Sequence, residues 1–98
     1  MKMVNPHFKK WLHLAETVKE AVPDSPLLIC PNCSGHNIKY EFIGDIQKRE
    51  GYFLIWCNDC LEGLHISKID IPKQAKVIPF GAPSELTSHI PNFKKVNP

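Results

Sequence analysis

Cys30-Pro31-Asn32-Cys33-Ser34-Gly35 and Cys57-Asn58-Asp59-Cys60-Leu61-Glu62-Gly63 decide how this chain of 98 residues is read. The two Cys-x-x-Cys pairs use all four cysteines, and 23 residues separate Cys33 from Cys57. That interval suits an outgoing strand, a turn and a returning strand, so a hairpin would set the pairs side by side. A tetrahedral metal ion takes four thiolates at about 2.3 Å, converging from two short turns, and this pattern supplies them.

The residues between and after the pairs support the hairpin. Ile38, Tyr40 and Phe42 alternate with Lys39 and Glu41, the period of a half-buried strand. A polar stretch with glycine at both ends, residues 44–51, reads as the turn. Tyr52-Phe53-Leu54-Ile55-Trp56 is apolar at every position, which predicts a central strand covered on both faces. A third strand is expected from about Leu64 to Ile71. Its alternation slips at Ser67-Lys68, where Leu64/Ile66 hand over to Ile69/Ile71, and a bulge is predicted there. Leu27-Leu28-Ile29 is expected to enter the first pair as a short strand.

Upstream, Asn5-Pro6 has the form of an N-cap followed by proline at the first helical position. Phe8, Trp11, Leu12, Ala15, Val18 and Val22 recur at helical spacing, predicting an amphipathic helix over 5–22 that packs on the sheet. Pro23-Asp24-Ser25-Pro26 ends it. Downstream, residues 72–98 contain Pro79, Pro83 and Pro91 and show no clear period, with at most one or two helical turns over 84–90. Ile78, Phe80, Leu86, Ile90 and Phe93 are its candidate anchors. The expected fold is α+β in one domain over 1–98. It comprises a three-stranded antiparallel sheet with two cysteine knuckles over 27–71, an N-terminal helix, and an irregular tail packed against the sheet.

Composition excludes several classes. The chain is 43% hydrophobic and 22% charged, the balance of a globular domain. The N-terminal residues lack the apolar core of a signal peptide, and no run approaches the roughly 18 apolar residues of a membrane span. A cytoplasmic location follows as the expectation, and in a reducing compartment paired cysteines hold metal rather than form disulfides. Four sulfurs close a tetrahedral shell, whereas a catalytic ion keeps one position open. His7, His13, His36, His65 and His89 are scattered, and no nucleophile, base and orienting acid come together in the sequence. The chain is therefore expected not to be an enzyme.

On these residues the segment 27–71 resembles the zinc-ribbon class, and the chain looks like one of its small free-standing bacterial members. The resemblance implies one structural Zn²⁺ on Cys30, Cys33, Cys57 and Cys60; the excess negative charge of four thiolates makes His36, Lys39 and Lys68 candidate outer partners. Rubredoxins bind iron through two similar pairs, so a rubredoxin-like iron carrier is the alternative. In ribbons a glycine often directly follows the second cysteine of a knuckle; here Ser34 and Leu61 hold those places, with Gly35 and Gly63 displaced.

Charge bears on the partner. Residues 30–71 carry six acids against four bases, and residues 72–98 carry four lysines against one acid. An acidic ribbon with a basic tail fits a small cytosolic protein-interaction module, a regulator, adaptor or immunity-type inhibitor with a protein partner. Its candidate contact residues are Lys48, Arg49, Phe53, Phe80 and Phe93. The alternative is nucleic-acid binding through the 44–51 hairpin tip. It is the weaker expectation, because Arg49 is the chain's only arginine and the folded module lacks a basic surplus.

Overall fold

A computed structural model describes residues 6–24 and 26–97. Helix α1 (Pro6–Ala21) precedes three antiparallel strands, β1 (Ile38–Asp45), β2 (Glu50–Cys57) and β3 (Glu62–Asp70). Two short strands follow, β4 (Val77–Pro79) and β5 (Lys94–Lys95), with a 3-10 turn at Ser84–Leu86 between them. The Asn5 cap lies outside the described residues.

The sheet has five strands in the order β4-β1-β2-β3-β5, and it is mixed. This corrects the three-stranded antiparallel expectation. β4 runs parallel to β1, pairing Phe42 with Val77, and β5 runs parallel to β3, pairing Glu62 with Lys94. The tail is therefore not an irregular appendage. It adds one short strand to each edge of the meander, which leaves fewer unpaired edge groups to recruit other chains. Two- and three-residue strands carry no readable period, so sequence pattern could not reveal them. Leu27-Leu28-Ile29 is not a strand either: Leu28 is buried in the core while Leu27 and Ile29 point to solvent.

The bulge lies where the alternation slips. Gly51 pairs with Ile69 and Phe53 with Ile66, so Ser67 and Lys68 together oppose Tyr52. Lys68 has φ 55°, in the left-handed region that bulges often require. The slip returns Ile69 and Ile71 to the face of Leu64 and Ile66.

The central strand is covered on both sides, as its composition demands. On one face Phe53, Ile55 and Cys57 join Ile38, Phe42 and Leu64 beneath Trp11, Ala15 and Val18 of α1. On the other, Leu54 and Trp56 join Ile43 beneath Phe93 and Ile90 of the tail. The Trp56 and Phe93 rings stack 5.8 Å apart at 14°. Gly63 makes this approach possible, because a Cβ there would meet Ile55 O at 2.3 Å and Phe93 Cδ2 at 2.8 Å. Among the expected tail anchors, Ile78, Ile90 and Phe93 pack, whereas Phe80 and Leu86 stay exposed. No helix among the described residues is long and apolar enough to cross a membrane.

Candidate metal centre

Each cysteine pair sits in a tight turn next to the β1–β2 hairpin. In the first, the Ser34 N–H donates to Cys30 O at 3.0 Å and the Cys30 N–H to Gly35 O at 2.8 Å. In the second, the Leu61 N–H donates to Cys57 O at 2.9 Å. The residue after the second cysteine is left-handed in both, with φ 63° at Ser34 and 57° at Leu61. The two turns thus share one geometry without glycine at that position, at a cost of about 1–2 kcal/mol each. One residue later in the first turn the space is tight: a Cβ on Gly35 would lie 2.9 Å from Asp59 Oδ2, whose carboxylate would have to shift, and 3.3 Å from Cys33 Sγ.

The hairpin brings the turns together. Cys30 Sγ lies 3.6 Å from Cys60 Sγ, and Cys33 Sγ 3.6 Å from Cys57 Sγ. All four sulfurs fall within 4.8 Å of one another. Four sulfurs at about 2.3 Å from a central ion stand roughly 3.8 Å apart, so this cluster fits a tetrahedral thiolate site. Backbone N–H groups already point at the sulfurs. Asn32 N and Cys33 N lie 3.4 and 3.5 Å from Cys30 Sγ, and Asp59 N lies 3.4 Å from Cys57 Sγ. Such donors spread the excess negative charge of a tetrathiolate.

The four thiols are not equivalent. Cys30 and Cys57 are buried, Cys60 is partly covered and Cys33 is exposed. Burial pushes the Cys30 thiol up to about 12 and raises Cys57. At Cys60 burial acts upward as the largest single influence, but hydrogen bonds from Asn32, the Glu62 backbone, Cys30 and Cys57 together outweigh it and hold the thiol below its ordinary value. A cation at the centre of the cluster would favour the thiolate at all four.

Four contacts around the centre carry no period or spacing signal in the sequence. Trp11 Nε1–H donates to Glu62 Oε1 at 2.9 Å, and His7 Nδ1 lies 3.1 Å from the same oxygen. The Asn37 amide donates to Asp59 Oδ1 at 3.3 Å, tying the start of β1 to the second turn. Trp56 Nε1–H donates to Asn58 Oδ1 at 2.7 Å. The outer partners expected from sequence fare differently. Lys68 sits in the β3 bulge, near the opposite end of the strand from Cys60, and neither His36 nor Lys39 is hydrogen-bonded to a sulfur among the described residues. His65 stands with its ring 5.1 Å from Tyr52, away from the cluster.

The candidate contact residues do not form one surface. Phe53 and Phe93 are 0% and 6% exposed, so both are core residues, a correction of the expectation that they face a partner. Their apolar alternation is the same whether a sheet face is open or covered, and the tail is what covers it. Arg49 is turned inward, its guanidinium donating to Pro72 O and to Ala75 O, the latter at 2.9 Å. Its backbone closes the hairpin turn with φ 56°. Lys48 and Phe80 remain at the surface. Comparison with protein-family models, curated proteins and solved structures finds no match to this chain.

Proposed function

We propose that the chain is a non-catalytic zinc protein of the ribbon type, in which one structural Zn²⁺ holds a small rigid scaffold that presents surfaces to a protein partner. The observation that carries this reading is the convergence of four sulfurs on one point, with no non-thiol ligand beside them among the described residues. A closed tetrathiolate shell offers no position for substrate or activated water. Zinc suits it because the ion has no redox chemistry and no geometric demand beyond the tetrahedron.

The scaffold role rests on where the centre sits. The second turn anchors α1 through Glu62 and anchors β5 through Leu61 O and Gly63 O, which accept from Lys94 N and Val96 N at 2.8 Å each. Exposed Leu27, Ile29 and Leu61 near the cysteine turns give that end of the molecule apolar contact surface. The hairpin-tip alternative loses support because Arg49, its strongest phosphate or base contact, is committed to backbone carbonyls.

Elemental analysis of freshly purified protein tests the metal, with zinc expected at one per chain. A ferric tetrathiolate would announce itself by visible charge-transfer absorption, and a red protein would establish the rubredoxin-like alternative. A titration with single-stranded DNA or RNA tests the other. The interaction reading expects no tight binding; a log K falling steeply with log salt would transfer the function to nucleic acid.

A further inference from the structure

The tail covers only the half of its sheet face that carries Leu54 and Trp56. On the uncovered half, the register sets Asp45 opposite Glu50 and Glu50 opposite Asp70, a row of three carboxyl groups across β1, β2 and β3. Asp45 Oδ1 is engaged, accepting from the Gln47 and Lys48 N–H groups at 2.8 and 2.9 Å. Glu50 and Asp70 are both exposed, and neither forms an ion pair among the described residues. Like charges directly opposite one another weaken a ladder, and no ion pair among the described residues offsets this one.

Beside the row stand two aromatic rings. Tyr52 and Phe80 have centroids 6.0 Å apart at 31°, and Phe80 is 57% exposed. Rings and acids border one hollow of about 570 Å³, with Lys48 and Lys68 also in its lining. The two lysines make no ion pair with the row, and three acids outnumber them.

We propose that this hollow receives an arginine side chain from a basic segment of a partner protein. A guanidinium is flat and weakly hydrated, so it can lie on an exposed aromatic face while its N–H fork reaches carboxylates. The hollow offers both in one place: Phe80 and Tyr52 for the plane, Glu50 and Asp70 for the fork. Charge complementarity selects a cation over a phosphate, and the aromatic pair selects guanidinium over ammonium. The proposal deepens the interaction reading and rests on it.

A titration of the full chain, as purified with its metal, decides it. Two-dimensional ¹H–¹⁵N spectra are recorded with acetyl-Gly-Arg-Gly-amide, and with the citrulline peptide, which keeps the shape and lacks the charge. The arginine peptide is expected to give saturable, millimolar shifts confined to amides near Glu50–Tyr52, Ser67–Asp70 and Phe80. The citrulline peptide should give none. E50Q/D70N, which removes repulsion and should keep the fold, is expected to weaken binding about fivefold or more, with F80A acting in the same direction. K48A/K68A should tighten it. Equal shifts from both peptides, no saturable shift, or unchanged affinity in E50Q/D70N would overturn the site. So would thymidine oligonucleotide binding at these amides that K48A/K68A abolishes, which would make the hollow an anion site. A failed arginine titration counts against this hollow alone; the interaction reading is judged separately by the salt dependence of nucleic-acid binding.

Discussion

The indole of Trp11 donates its N–H to the carboxylate of Glu62 across 2.9 Å, joining the middle of the N-terminal helix to the residue two places beyond Cys60. Trp11 is fully buried and the Glu62 side chain is 13% exposed. A buried carboxylate without a donor is costly, so this bond ties the position of the helix to the geometry of the second cysteine turn. Trp11→Phe keeps most of the packing and removes the indole donor, leaving His7 Nδ1, 3.1 Å from the same oxygen. Urea unfolding should show a loss of about 2 kcal/mol, with Glu62→Gln losing less because its amide oxygen still accepts. Equal stability of wild type and Trp11→Phe would make the bond incidental.

Metal removal should loosen both flanks together, since α1 and β5 are each bonded within residues 61–63. Structural zinc in small peptides is worth on the order of 10–16 kcal/mol, comparable with the whole stability of a domain. Cys57→Ser is therefore expected to abolish the sharp thermal transition. In the wild type, chelation should speed hydrogen exchange across residues 6–21 and 94–96. A sharp transition in Cys57→Ser would show that the two apolar clusters suffice without metal.

The aromatic residues should divide by burial. Phe93→Ala removes a ring stacked on Trp56 and should cost about 3–5 kcal/mol, shifting the Trp fluorescence to the red. Phe80→Ala, at an exposed position, should change stability by no more than about 0.5 kcal/mol. Similar losses at both sites would contradict the packing of the tail.

How far the sequence could be read is visible in these same residues. The paired cysteines, the helix, the three-strand meander and the slip at Ser67-Lys68 each leave a spacing or period, and each stands where it was expected. The edge strands leave none, because Val77–Pro79 and Lys94–Lys95 are shorter than one clear alternation. Phe53 and Phe93 misled for the related reason that a strand pattern does not say what covers its outer face. Arg49 misled because a charged residue at a turn reads as solvent-exposed, whereas here it satisfies two backbone carbonyls from the segment after β3.

Proton release should accompany metal uptake. Burial raises Cys30 to about 12 and lifts Cys57 above its ordinary 9.0, so both thiols hold their protons near neutral pH. A raised thiol favours the metal-free fold below 9.0, and that contribution is lost as pH climbs towards about 12. Coordination reverses the sign: the metal-loaded state needs thiolates, so its stability falls as pH falls. Cys60, shifted down, gives up its proton more readily and opposes binding less. Calorimetry at pH 7 in buffers of different ionisation enthalpy should count about four protons per metal, and affinity should rise with pH. A proton count near zero would mean that the buried thiols are not the ligands.

Native mass spectrometry of freshly purified, reduced protein reads the metal content of the four-cysteine cluster without intermediary. One Zn²⁺ bound in place of two protons is the mass shift expected at each charge state, with that species lost in Cys57→Ser. A wild-type chain at its metal-free mass, with all four cysteines open to alkylation under native conditions, would contradict the tetrathiolate site.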